Sequence, residues 1–157
     1  MTDDIQYLTL EGLQELEEKL NFLRTVRRQE IAQRLHQAME EGGELAENAE
    51  YEDAKNDQAF LEGEIIRLES ILRNAKVIQE DGRKDIVGLG DKVTVREKGS
   101  KETEIYLLVG AAEANPKVGK ISYKSPLGQA LMNKKVGDKV KVNAPDGEIV
   151  FEVVAID

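Results

Sequence analysis

Glu40-Glu41-Gly42-Gly43-Glu44-Leu45-Ala46-Glu47-Asn48-Ala49-Glu50-Tyr51 separates two long stretches of helical periodicity, and its reading decides the fold. Upstream, Leu13, Leu16, Leu20 and Leu23, then Ile31, Leu35 and Ala38, keep one apolar seam on a helix. Downstream, Ala54, Gln58, Leu61, Ile65, Leu68, Leu72 and Ala75 repeat the pattern, so the two seams can bury each other. Neither arm contains proline, and good helix formers fill most positions. Residues 10–39 would span about 45 Å at 1.5 Å per residue, and the double glycine Gly42-Gly43 makes an antiparallel return the natural topology. From Leu23 through Arg27 to Ile31 the seam advances in steps of four, a stutter that predicts local unwinding.

Charge is divided unevenly. Residues 1–79 hold 18 acids and 9 bases, whereas residues 80–157 hold 13 of each, so the formal net charge of −9 belongs to the first half. Residues 40–53 contain seven acids and no Lys or Arg. Such a turn is repelled by a bare nucleic-acid backbone and suits a cation or a basic protein channel better. The absence of cysteine excludes disulfides, thiolate metal clusters and a cysteine nucleophile, and a single histidine, His36, excludes a histidine-rich metal site. The acidic start lacks a signal-peptide pattern and no apolar run approaches a membrane span, so the expected location is cytoplasmic, without membrane association.

Near residue 80 helical periodicity gives way to short alternating segments at Lys92 to Arg96, Glu104 to Val109, Asp138 to Val142 and Ile149 to Val154, which predict strands. Ser125 and Pro126 stand as cap and first residue of a short helix running to Leu131. The expected class is α+β: an antiparallel coiled-coil hairpin over 1–79 with its acidic tip at 41–51, then a small antiparallel β-sheet domain with a short helix over 80–157. Thr9 caps the first helix, with Leu8 and Leu13 placed as a hydrophobic staple.

Two readings of the tip stand side by side. The acids can simply solubilise an exposed turn and favour the second helix through its dipole. Alternatively Glu44 and Glu47, three apart, put two carboxylates on one side of a helical turn, with Glu50 one turn farther and Leu45 and Tyr51 as apolar supports. Mg²⁺ commonly takes one or two protein carboxylates and completes its shell with phosphate and water, so such a pair would need partner ligands. Arg24, Arg27, Arg28 and Arg34 likewise either pair with nearby acids or form a weak track toward RNA or another polyanion.

The tip run Gly43-Glu44-Leu45-Ala46-Glu47-Asn48-Ala49-Glu50-Tyr51, then Ala54-Lys55, Phe60, Glu62-Gly63 and Asn74-Ala75-Lys76-Val77-Ile78, resembles the GreA/GreB family of bacterial transcript cleavage factors, most of all its GreA branch. Gly119-Lys120-Ile121-Ser122, Ser125-Pro126-Leu127-Gly128-Gln129-Ala130-Leu131, Gly137-Asp138 and Pro145-Asp146-Gly147-Glu148 extend the likeness over the full length. The resemblance implies an FKBP-like C-terminal domain that docks bacterial RNA polymerase at its secondary channel, while the hairpin enters the channel. It implies an auxiliary factor rather than an enzyme, expected to be a monomer. In backtracked complexes the factor would stimulate the polymerase's cleavage of nascent RNA. By the same resemblance Glu44 and Glu47 help hold Mg²⁺ at the polymerase active site, with no cofactor stably bound to the factor itself. Glu50, Asn48 and Tyr51 support them, and Lys55 and Arg34 approach the RNA 3′ segment. The family's commoner first tip acid is aspartate where this chain has Glu44, and Glu40 stands where some relatives carry an RNA-contacting arginine. A noncatalytic regulator occupying the same channel is the alternative.

Overall fold

The computed structural model describes residues 4–41, 48–79, 82 and 84–157. By their contacts they form two compact units: Leu13–Asn74, and Met1–Gly12 together with Ala75–Asp157. This differs from a division at residue 80, because the strand β1 (Gln6–Leu8) pairs in parallel with β2 (Ala75–Val77), with Gln6 opposite Ala75 and Leu8 opposite Val77. Ala75 therefore lies in a strand and not on the returning helical arm.

The first unit is the helical hairpin. Its outgoing arm comprises α1 (Leu10–Phe22), a π-helical turn at Leu23–Arg27 and α2 (Arg28–Glu41); α3 (Ala49–Arg73) returns. Leu20, Ile31, Leu61, Ile65 and Leu68 form its buried seam, flanked by half-buried Leu16, Leu23, Leu35 and Leu72, as the spacing predicts, and by Ile71, which the spacing does not place there. The stutter has a specific outcome. Steps of four residues outrun the ~3.6 residues of an α turn, and the wider π turn absorbs the excess. The Thr25 hydroxyl donates to the Asn21 carbonyl at 2.7 Å within this segment. Arg27, placed on the seam by spacing, instead pairs with Glu30 at 3.0 Å, its side chain 40% exposed.

In the second unit five strands form a sheet in the order β5-β4-β3-β7-β6: β3 (Lys92–Glu97), β4 (Thr103–Val109), β5 (Lys120–Ser122), β6 (Lys139–Ala144) and β7 (Gly147–Ile156). Four of them match the predicted segments. The exception to the antiparallel expectation is β5, which runs parallel to β4 with Leu107 opposite Lys120, after a crossover through short 3₁₀ turns at Ala111–Glu113 and Pro116–Val118. Between Thr94, opposite Ala155, and Val95, opposite Val153, the register of β3 on β7 shifts by one residue, leaving Val154 of β7 as the extra residue of a bulge. The core is built from alternating inward residues, Val93 and Val95, Val140, and Phe151 and Val153, closed by Leu131 of α4 (Pro126–Leu131). Ser125 caps α4 by accepting the Gly128 N–H at 3.1 Å, with Pro126 at the first helical position.

Candidate functional site

The arms of the hairpin are registered by ion pairs. Arg24 meets Glu69 at 2.6 Å, Arg28 meets Glu62 through two hydrogen bonds at 2.9 and 2.8 Å, and Arg34 meets Asp57 at 2.6 Å. Ascending numbers on one arm meet descending numbers on the other, the mark of an antiparallel pair. The bidentate contact holds the Glu62 carboxyl below the usual carboxylate range and raises the Arg28 guanidinium, while Arg67 and then Lys19 hold Glu64 low. All these groups are partly exposed, so each pair contributes little alone, but together they resist sliding of one arm on the other. The three arginines Arg24, Arg28 and Arg34 are thus each matched by an acid of α3.

Toward the tip, Asn48 does two things at once. Its Oδ1 accepts the Tyr51 N–H at 3.0 Å, capping α3, while its Nδ2 donates to the Ala38 carbonyl of α2 at 2.7 Å. Asn48 is 7% exposed, and Ala38 and Ala54 are buried beside the seam. Small side chains at these two positions suit a close approach of α2 and α3. Sequence spacing left the start of α3 open, so the cap became visible only in the structure, and the bond to Ala38 spans ten residues and depends on the return of the chain.

Glu50 is exposed in the first turn of α3 and half-buried Tyr51 follows it. The Lys55 ammonium stands 5.8 Å from the centroid of the Tyr51 ring, one turn farther along the helix. Lys55 is exposed and has no ion-pair partner among the described residues, which distinguishes it from Arg34. Glu44 and Glu47 lie outside the described residues. Among the described residues no group of three or more His, Cys, Asp or Glu side chains is arranged to hold a metal ion. His36 pairs with Glu40 at 3.0 Å on the exposed face of α2. No described helix is long and apolar enough to cross a membrane.

A family model described as the N-terminal part of a transcription elongation factor matches residues 6–77, and one described as the GreA/GreB C-terminal part matches residues 82–157. Transcription elongation factor GreA of Acetivibrio thermocellus is 49% identical over 150 residues, covering 95% of this chain and 94% of that protein. The GreA of Bacillus subtilis is 46% identical over 149 residues, with 95% and 94% covered. A crystal structure of GreA factor homolog 1 (Gfh1) of Thermus thermophilus is 35% identical and covers 98% of this chain and 99% of that one, with a TM-score of 0.45.

Proposed function

Since the chain belongs to the GreA/GreB family of transcription elongation factors, we infer that it enters the secondary channel of bacterial RNA polymerase and stimulates cleavage of backtracked nascent RNA. It is an auxiliary factor: the cleaving active site is the polymerase's. Near-full-length kinship to GreA carries this reading, and the Asn48 bridge supports it, because the bridge joins both arms at the base of the segment that contains Glu44 and Glu47.

The donor chemistry of that segment fits Mg²⁺ as a partial ligand set: two hard carboxylates, with the rest of the octahedral shell left to polymerase, RNA and water. When bound, the ion supplies charge stabilisation at the scissile phosphate and a more acidic water. The chain's part is positional. Glu44 and Glu47 present negative charge, and the paired arms keep the tip from collapsing in the channel. Lys55, cationic and unmatched by a nearby acid among the described residues, lies against the RNA 3′ segment. Glu50 and Tyr51 support the base of the tip. For residues 80–157 we propose the family's FKBP-like arrangement and the docking role, and for the protein a monomeric, cytoplasmic factor.

The test is a stalled, backtracked polymerase complex carrying labelled RNA with Mg²⁺. Added factor should shorten the RNA from its 3′ end and restore elongation. Binding to polymerase without any cleavage would instead establish a noncatalytic channel regulator.

A further inference from the structure

The first turn of α1 is capped in an unusual way. The Thr9 hydroxyl accepts the Gly12 N–H at 3.0 Å, the ordinary N-cap bond to the third helical residue. In a capping box that third residue is Glu or Gln, and its side chain returns to the N–H of the cap. Here it is glycine. The returning carboxylate comes instead from Glu113, 104 positions away in the turn Ala111–Glu113, accepting the Thr9 N–H at 3.1 Å and the Thr9 hydroxyl at 2.5 Å. A Cβ at Gly12 would stand 2.5 Å from Glu113 Oε1, so glycine is what leaves room for the visiting carboxylate. Gly110 permits the same approach, since a side chain there would collide with the Tyr7 carbonyl oxygen.

The Glu113 side chain is only 5% exposed, with the Lys120 ammonium 3.9 Å away. Burying a carboxylate is costly unless it is hydrogen-bonded, and a glutamate at position 12 would cap α1 without that cost. What the distant residue adds is a tie between the root of α1 and the turn that follows β4. We propose that Glu113 is a positioning residue for transcript cleavage, completing the cap of α1 so that the root of the hairpin stays helical while the tip acids act. This rests on the cleavage-factor reading above. Loss of the carboxylate frees two donors on Thr9 and lets the first turn of the outgoing arm fray.

The test compares the unmodified factor with Glu113→Ala, Glu113→Gln and Gly12→Ala on a backtracked bacterial polymerase, following cleavage as a function of factor concentration. Glu113→Ala should lower the rate at saturating factor about tenfold while the half-saturating concentration shifts less than about twofold, the pattern of a lost contribution after binding. Glu113→Gln, whose amide oxygen still accepts from Thr9, should retain most of the rate. Gly12→Ala should lose rate as Glu113→Ala does, because its methyl displaces the carboxylate. Hydrogen exchange should show faster Thr9 and Gly12 amides in Glu113→Ala with Val93 and Val153 still protected. If the sheet amides open as well, Gly12→Ala, which leaves the sheet's residues in place, decides. Full cleavage by Glu113→Ala, recovery at high factor concentration, or a silent Gly12→Ala overturns the proposal. Failure of the unmodified factor to stimulate cleavage overturns the functional reading itself, a result distinct from an active factor with an active Glu113→Ala.

Discussion

Asn48 of the tip and Ala38 of the outgoing arm are joined by a buried hydrogen bond of 2.7 Å, made by the same side chain that caps α3. Asn48→Ala removes the cap and leaves the Ala38 carbonyl without this donor, so it should destabilise the hairpin by roughly 2–3 kcal/mol. Asn48→Asp keeps the capping oxygen but replaces the donor with a carboxylate facing a carbonyl, and should not restore stability. Urea unfolding of the three proteins checks this, and cleavage stimulation should fall in the same order.

Glu44→Gln and Glu47→Gln keep side-chain size and remove charge. Each should bind polymerase normally and suppress stimulated cleavage by roughly tenfold or more, partly recovered by raising Mg²⁺. Glu44→Asp changes only reach, and a changed rate at unchanged docking would show that the carboxylate position, beyond its charge, matters. Single-turnover RNA shortening at limiting and saturating Mg²⁺ measures all three; unchanged rates for both glutamine variants would remove the acids from the mechanism.

Lys55, beside the Tyr51 ring, is exposed, so Lys55→Ala should change stability by no more than about 0.5 kcal/mol. Its effect should fall on the concentration of factor needed for cleavage and grow with salt-sensitive RNA contact. Titrations at two ionic strengths across several backtrack lengths would detect it.

Leu68 is fully buried in the seam, whereas Phe60 on the same helix is 77% exposed. Leu68→Ala should cost about 3 kcal/mol through lost burial and the cavity left behind. Phe60→Ala should be close to neutral in stability. Hydrogen exchange should show opening confined to the hairpin amides in the first variant, with the β3 and β7 amides still protected.

The Arg28–Glu62 pair gives the hairpin a pH dependence of known sign. Glu62 is held below its ordinary value of 4.5, so its contribution is present above that value and is lost as pH falls through the lower folded value. The stability gap between the unmodified protein and Glu62→Gln should therefore exist at neutral pH, shrink in high salt and vanish in acid. A gap that persists in acid would show that the contact is not electrostatic.

Local chemistry made much of this molecule readable. Apolar spacing located both arms of the hairpin, alternation located the four longer sheet strands, and Thr9 and Ser125 were recognisable as caps because an N-cap acts within three residues of itself. The tip acids were likewise a matter of composition and motif. What only the tertiary structure decided is long-range. The strands β1, β2 and β5 have three residues each, too short to display a period, and their parallel pairings exist only because distant segments meet. The arginines on the outgoing arm had acids in reach in principle, but which acid each one meets depends on the register of the two arms. The role of Gly12 is long-range as well, because it exists only once the fold brings the Glu113 carboxylate into the space its missing side chain leaves.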